Sequence, residues 1–187
     1  MASSDTVPIT PIHPWALALV AGLALLYGYM NTARTWRIES TGLDDTLELA
    51  GQIGRNMRGG EVIELVSDLG GGKTTFVRGL AAGMGSSDPV RSPSFTLNNQ
   101  YQGDKLVLHH FDFYRLTEPG IMRDELAEIL AEPGTAVAIE WGDIVQDVLP
   151  SERLTIHIKA IVGDQRELTF SQPESLRYLI PSQYLTR

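Results

Sequence analysis

Apolar and polar positions alternate in short blocks from residue 35 onward, and the period of the alternation switches between about two and about 3.6. Thr35–Glu39 reads as a short strand. Leu43, Leu47, Ala50, Ile53 and Met57 fall on one helical face, with Ser40 or Thr41 as the capping residue and Gly59-Gly60 as the stop. Glu61–Val66 is an apolar strand, Ser67–Gly72 a glycine-rich loop, and Lys73–Met84 a helix with Phe76, Leu80 and Met84 on one side. Ser94–Tyr101 and Lys105–Phe113 read as two strands joined at Gly103-Asp104, a hairpin signal. Met122–Ala131 is a short helix. Thr135–Glu140 is apolar without alternation, as a buried central strand should be. Arg153–Ile161 and Arg166–Ser171 form a second hairpin around Gly163-Asp164, and Pro173–Ile180 closes as a helix. Strands interleaved with helices, with hairpins at the margins, predict an α/β domain whose sheet is mixed parallel and antiparallel.

The first 33 residues follow a different pattern and are read as an apolar extension outside the domain at 34–187. No Asp, Glu, Lys or Arg occurs between Thr6 and Ala33, and Trp15–Met30 is almost wholly apolar. Three readings stand beside one another. As a membrane anchor the run is short: a sixteen-residue helix reaches about 24 Å against a hydrocarbon core of about 30 Å. Its flanks fit an anchor, with Trp15, Tyr27 and Tyr29 at the interfaces and Arg34 and Arg37 holding the domain on the cytoplasmic side. As a signal peptide it lacks a basic leader. Alternatively Met30 is the true start of a cytoplasmic protein.

Composition narrows the chemistry. The chain has 187 residues, a net charge of −8 and no cysteine. The length suits one domain. The acidic balance argues against wrapping nucleic acid directly, and the lack of cysteine removes thiol catalysis, thiolate zinc sites and disulfides.

The strongest chemical signal is Ser67-Asp68-Leu69-Gly70-Gly71-Gly72-Lys73-Thr74, which matches the G-x-x-x-x-G-K-[ST] phosphate loop at every defined position but the first. Glycines let successive N–H groups turn inward around phosphate oxygens, and the helix that follows adds its unpaired N–H groups and positive dipole end. Lys73 can reach the β and γ phosphates, and Thr74 offers a hydroxyl to Mg²⁺. Ser67 would be strained if its position requires positive φ. A carboxylate at the end of a neighbouring strand is also needed, and Glu140 and Asp112 are the candidates, one for the metal and the other for the attacking water. His109 and His110, adjacent on a strand, point to opposite faces and cannot chelate together. The expectation is one packed and one exposed ring. Arg115 can face phosphate or make a surface ion pair, and Trp141 reads as packing.

Four segments in this order, SDLGGGKTTFVRGLAAGMG, VRSPSFTLNNQY, HHFDFYRL and IEW, resemble the bacterial TsaE (YjeE) ATPases from about Trp36 to Phe170. The resemblance implies a single P-loop NTPase domain in a cytoplasmic ATPase that uses ATP and Mg²⁺. It further implies a role in threonylcarbamoyl modification of the adenosine beside the anticodon in tRNAs reading codons that begin with A. The family acts with a TsaD–TsaB pair, which handles the tRNA and in which TsaD performs the transfer. By the same resemblance Gly70, Gly71, Gly72, Lys73, Thr74 and Thr75 cradle the phosphates. Thr74 and Glu140 contact Mg²⁺, Asp112 lies on the γ-phosphate side, Ser92–Leu97 is a switch-like loop, and Arg166 stands near the nucleotide. Two departures are Ser67 in place of the first glycine and Asn99-Gln100 where the family carries a glutamate. A small-molecule kinase and a membrane-anchored regulatory nucleotide-binding protein are the rival readings. Only Arg115 and Arg123 lie between Tyr114 and Trp141, few for a kinase lid.

Overall fold

The computed structural model describes residues 33–184, so the apolar extension and the Met30 start lie outside the described residues. The described residues form seven strands and three α-helices: β1 (Arg34–Ser40), α1 (Leu43–Asn56), β2 (Val62–Val66), α2 (Lys73–Gly83), β3 (Asn98–Gln102), β4 (Val107–Asp112), α3 (Met122–Ala131), β5 (Thr135–Glu140), β6 (Leu154–Ala160) and β7 (Arg166–Gln172). They make one sheet in the order β1-β7-β6-β2-β5-β4-β3. β2 pairs in parallel with both β5 and β6, and β4 pairs in parallel with β5. The margins are antiparallel: β1 with β7, β6 with β7, β3 with β4. The expected mixed sheet is therefore present, with its parallel strands at the centre.

Strand alternation sorts the core into two clusters, one on each face. Ile63, Leu65, Leu108, Ala136 and Ala138 join Leu49, Ile53, Phe76 and Leu80 of α1 and α2. Val62, Phe111, Val137 and Ile139 join Leu126 and Ile129 of α3. All six residues of β5 are buried, as its unbroken apolar run requires.

α1 fixes the place of α2. A Cβ built on Gly54 would fall 2.2 Å from Leu80 O, and one on Gly83 would fall 2.0 Å from Gly51 O. The two helices thus touch through bare backbone, a distance only glycine permits. Because α2 begins at the phosphate loop, this close approach sets where that loop sits over the sheet.

Several expectations need correction. Neither Ser40 nor Thr41 caps α1; the N-cap is Gly42, with no side-chain bond. Ser40 instead meets the Thr46 hydroxyl at 2.7 Å, and the Thr41 N–H donates to Asp45 at 3.0 Å. β3 starts at Asn98, not Ser94, because the chain turns at Leu97 with φ 65°. The segment expected to close as a helix at 173–180 is a 3₁₀ turn, Glu174–Leu179. Among the described residues no helix is long and apolar enough to cross a membrane.

Candidate functional site

The parallel pairing brings the two candidate acids together. Asp112 ends β4 and Glu140 ends β5, directly opposite each other in register, and Glu140 also faces Leu65 of β2, just before the phosphate loop. In a parallel α/β sheet the crevice beyond the carboxyl ends of the strands is the usual ligand position. A cavity of about 260 Å³ opens there, lined by Leu69–Thr75, Ser92, Ser94, Asp112, Tyr114, Glu140 and Trp141. Every residue of the expected cradle lines it, as do both acids.

The loop has the backbone that its glycines allow. Gly70 and Gly72 have φ of 74° and 115°, values that L side chains avoid. Ser67 is not among the positive-φ residues, so the expected strain at that position is absent. Its hydroxyl is buried without a partner among the described residues. The first N–H groups of α2 have no acceptor within the helix and point out of its start.

Lys73 is buried. Its Nζ donates to Ser67 O and Asp68 O, both at 3.0 Å, and lies 4.5 Å from the Trp141 ring centroid. Burial pushes its ammonium below the usual lysine range, against the opposing charges of Glu140, Asp112 and Asp68. Trp141, expected to be packing alone, lines the cavity with a left-handed backbone, φ 60°, unusual for so large a side chain.

The Thr74 hydroxyl donates to Glu140 Oε1 at 3.1 Å. Asp112 Oδ1 accepts the Tyr114 N–H at 3.0 Å, and Oδ2 accepts the hydroxyls of Ser92, at 3.2 Å, and Ser94. Asp112 thereby holds the start of a tight turn, and its own N–H donates to Leu97 O at 3.1 Å at the other end. The turn leaves Phe95 84% exposed, with the Arg115 guanidinium 4.3 Å from its ring. Arg115 does not line the cavity.

Arg166 reaches the loop from β7. Its Nε donates to Gly71 O at 2.8 Å and its Nη1 to Gly163 O and Gln165 O. A trans peptide carries C=O and N–H on opposite sides, so holding Gly71 O fixes the direction of the Gly72 N–H. Arg166 does not itself line the cavity. Asn99, where the glutamate was expected, donates to Arg91 O at 3.2 Å and accepts from Thr96 at 2.9 Å, which ties down the turn.

One residue escaped the sequence reading. Both His109 and His110 are buried, so neither is the exposed ring expected, and His110 Nε2 lies 2.9 Å from Glu140 Oε1. The signal was the paired strands: His110 stands opposite Ala138, two residues before Glu140 on the same face.

The donor set fits nucleotide with magnesium. Glycines leave the loop open, a lysine and helix start supply positive potential, and a hydroxyl and two carboxylates supply hard oxygen ligands. No group of three or more His, Asp or Glu among the described residues is placed to hold a metal unaided.

Comparison with known proteins agrees with this geometry. The family described as "Threonylcarbamoyl adenosine biosynthesis protein TsaE" matches residues 40–168. The tRNA threonylcarbamoyladenosine biosynthesis protein TsaE of Bacillus subtilis (strain 168) is 41% identical over 117 residues, covering 60% of this chain and 70% of that protein. The protein of the same name from Treponema pallidum (strain Nichols) is 37% identical over 137 residues, covering 71% and 98%. The crystal structure of Bacillus subtilis YdiB superposes with a TM-score of 0.62 at 30% identity, covering 82% of this chain and 90% of that one. The loop, both acids and Arg166 all fall within the matched span, and the chain belongs to the TsaE family, with that family's P-loop NTPase fold.

Proposed function

We propose that this chain binds ATP with Mg²⁺ and hydrolyses it to drive threonylcarbamoyl modification of tRNA, acting on a TsaD–TsaB type complex that itself handles the tRNA. The observation that carries the reading is the Thr74–Glu140 hydrogen bond beside Lys73, inside one cavity with Asp112. Bound ATP·Mg²⁺ would supply the phosphoanhydride and a divalent charge to offset the negative charge of phosphoryl transfer.

The residues divide the work by position. Gly70, Gly71, Gly72, Lys73, Thr74 and Thr75 cradle the phosphates through backbone N–H groups, the Lys73 ammonium and the Thr74 hydroxyl. Lys73 exchanges the carbonyls of Ser67 and Asp68 for phosphate oxygens, a stronger charge-assisted partner. Thr74 points its proton at Glu140 and so keeps its oxygen lone pairs for the metal. Glu140 and Asp112 are the metal and water carboxylates. Arg166 acts through the loop backbone.

Asp112 couples the site to the Ser92–Leu97 turn, because the oxygen that accepts Ser92 and Ser94 cannot at the same time orient water. Exchange between these partners changes the turn that displays Phe95, and the energy goes into the grip on partner proteins. We infer further that residues 34–187 are the catalytic body, in the cytoplasm, with residues 1–33 an extension to it.

The test uses a strain lacking its own family member. Glu140→Ala is expected to bind nucleotide but lose magnesium-dependent turnover, and Lys73→Ala to lose both. Neither should restore the modified nucleoside in tRNA. Normal modification with Lys73→Ala would overturn the proposal.

A further inference from the structure

We propose that His110 is a positioning residue for Glu140, an inference that rests on the role given above to that carboxylate. The imidazole is fully buried and Glu140 is 4% exposed. His110 Nε2 lies 2.9 Å from Glu140 Oε1, the oxygen that also accepts the Thr74 hydroxyl. Nε2 must therefore carry the proton and donate it, since a carboxylate only accepts. Among the described residues both hydrogen bonds to this carboxylate fall on Oε1, so its rotation is fixed by two donors and Oε2 is left uncommitted.

The rest of the ring argues that this bond is what the histidine is for. Nδ1 is buried with no partner among the described residues. The ring otherwise meets Tyr101, with centroids 6.2 Å apart, in a core of Leu108, Ala136 and Ala138. An apolar side chain would fill this space without leaving a ring nitrogen orphaned. What the imidazole adds is one N–H aimed at Glu140. Ala138, opposite in the register, is small enough to leave the ring room to reach forward to position 140. A buried acceptor braced by a neighbour in this way is the pattern by which outer groups orient metal-site carboxylates.

The experiment compares wild type, His110→Phe and His110→Gln in the full chain with partner proteins present. His110→Phe keeps the shape and loses the donor. It is expected to bind magnesium-free nucleotide within about twofold of wild type, while kcat falls about 10- to 100-fold and KM changes little. In His110→Gln the amide nitrogen can donate to the same oxygen, so kcat should recover about tenfold over the Phe variant. Nitrogen NMR of the nucleotide-free wild type should show a proton on Nε2. Turnover by His110→Phe within twofold of wild type, no rescue by Gln, or an Nε2 that carries no proton would each overturn the inference. If the Phe variant fails to fold, the Gln variant and the wild-type spectrum decide. An inactive Glu140→Ala beside an active His110→Phe refutes this inference alone. An active Glu140→Ala refutes the role of the carboxylate itself.

Discussion

The Ser67 hydroxyl fills the space that a side chain at position 71 would need: a Cβ on Gly71 would lie 1.7 Å from Ser67 Oγ and 3.0 Å from Ser67 Cβ. Ser67 and Gly71 are thus a packed pair across the turn of the loop, and the departure from the usual first glycine is matched by the bare backbone opposite it. Gly71→Ala should force the loop apart at a cost of about 1–3 kcal/mol, lowering nucleotide affinity by about tenfold or more. Adding Ser67→Gly should recover most of the loss. Calorimetric titration of the single and double variants checks this pair.

Arg166 grips the loop without lining its cavity. Arg166→Ala removes the Nε bond to Gly71 O and leaves the Gly72 peptide free to turn. Nucleotide affinity should fall about five- to tenfold, equivalent to about 1 kcal/mol. The thermal midpoint should move little, because Arg166 is half-buried at the first position of β7, just after the Gly163-Asp164 turn. A midpoint drop larger than the binding loss would assign the residue to the fold instead.

Glu64 stands on the other face of β2, bonded by Arg153 at 2.8 Å, Gln146 at 2.6 Å and Thr155 at 3.1 Å. Burial pushes its carboxyl up, but those three bonds and the Arg153 charge outweigh it and hold the group below its usual 4.5. A depressed folded value means stability that is present above the unfolded value and lost as pH falls through the folded one. Glu64→Gln should therefore cost about 2 kcal/mol at neutral pH, a midpoint drop of about 4–8 °C. The gap from wild type should stay constant down to about pH 5 and close below it. Thermal melts across the acid range measure it.

Ser92 and Ser94 tie their turn to Asp112, and the turn holds Leu97 at φ 65°. With both hydroxyls removed, that strained geometry loses its fastening. Ser92→Ala with Ser94→Ala should speed amide exchange across residues 94–97 by about tenfold or more, with α2 unaffected. Hydrogen exchange read by mass spectrometry distinguishes this from general loosening.

The elements themselves were legible because each carries its own period or punctuation. β5 and α3 have the bounds their patterns predict, and the loop declared itself through glycines that the chemistry demands. The Ser94–Leu97 stretch misled because Phe95 and Leu97 alternate like a strand, yet Phe95 is exposed and the serines serve Asp112 instead of a ladder. The pairing of Asp112 with Glu140, and the reach of His110 to the latter, depend on which strands are neighbours. That order is set by tertiary packing, which no local pattern encodes. Arg166 was visible only through resemblance, since its target is a backbone carbonyl far away in sequence.

The central claim is that the cradle from Gly70 to Thr75, with Lys73 at its centre, holds a nucleotide triphosphate. Calorimetric titration of folded full-length protein with ATP and magnesium measures it most directly. A saturable one-to-one heat that Lys73→Ala abolishes is the predicted result. No heat from folded wild type, or undiminished heat from Lys73→Ala, would contradict it.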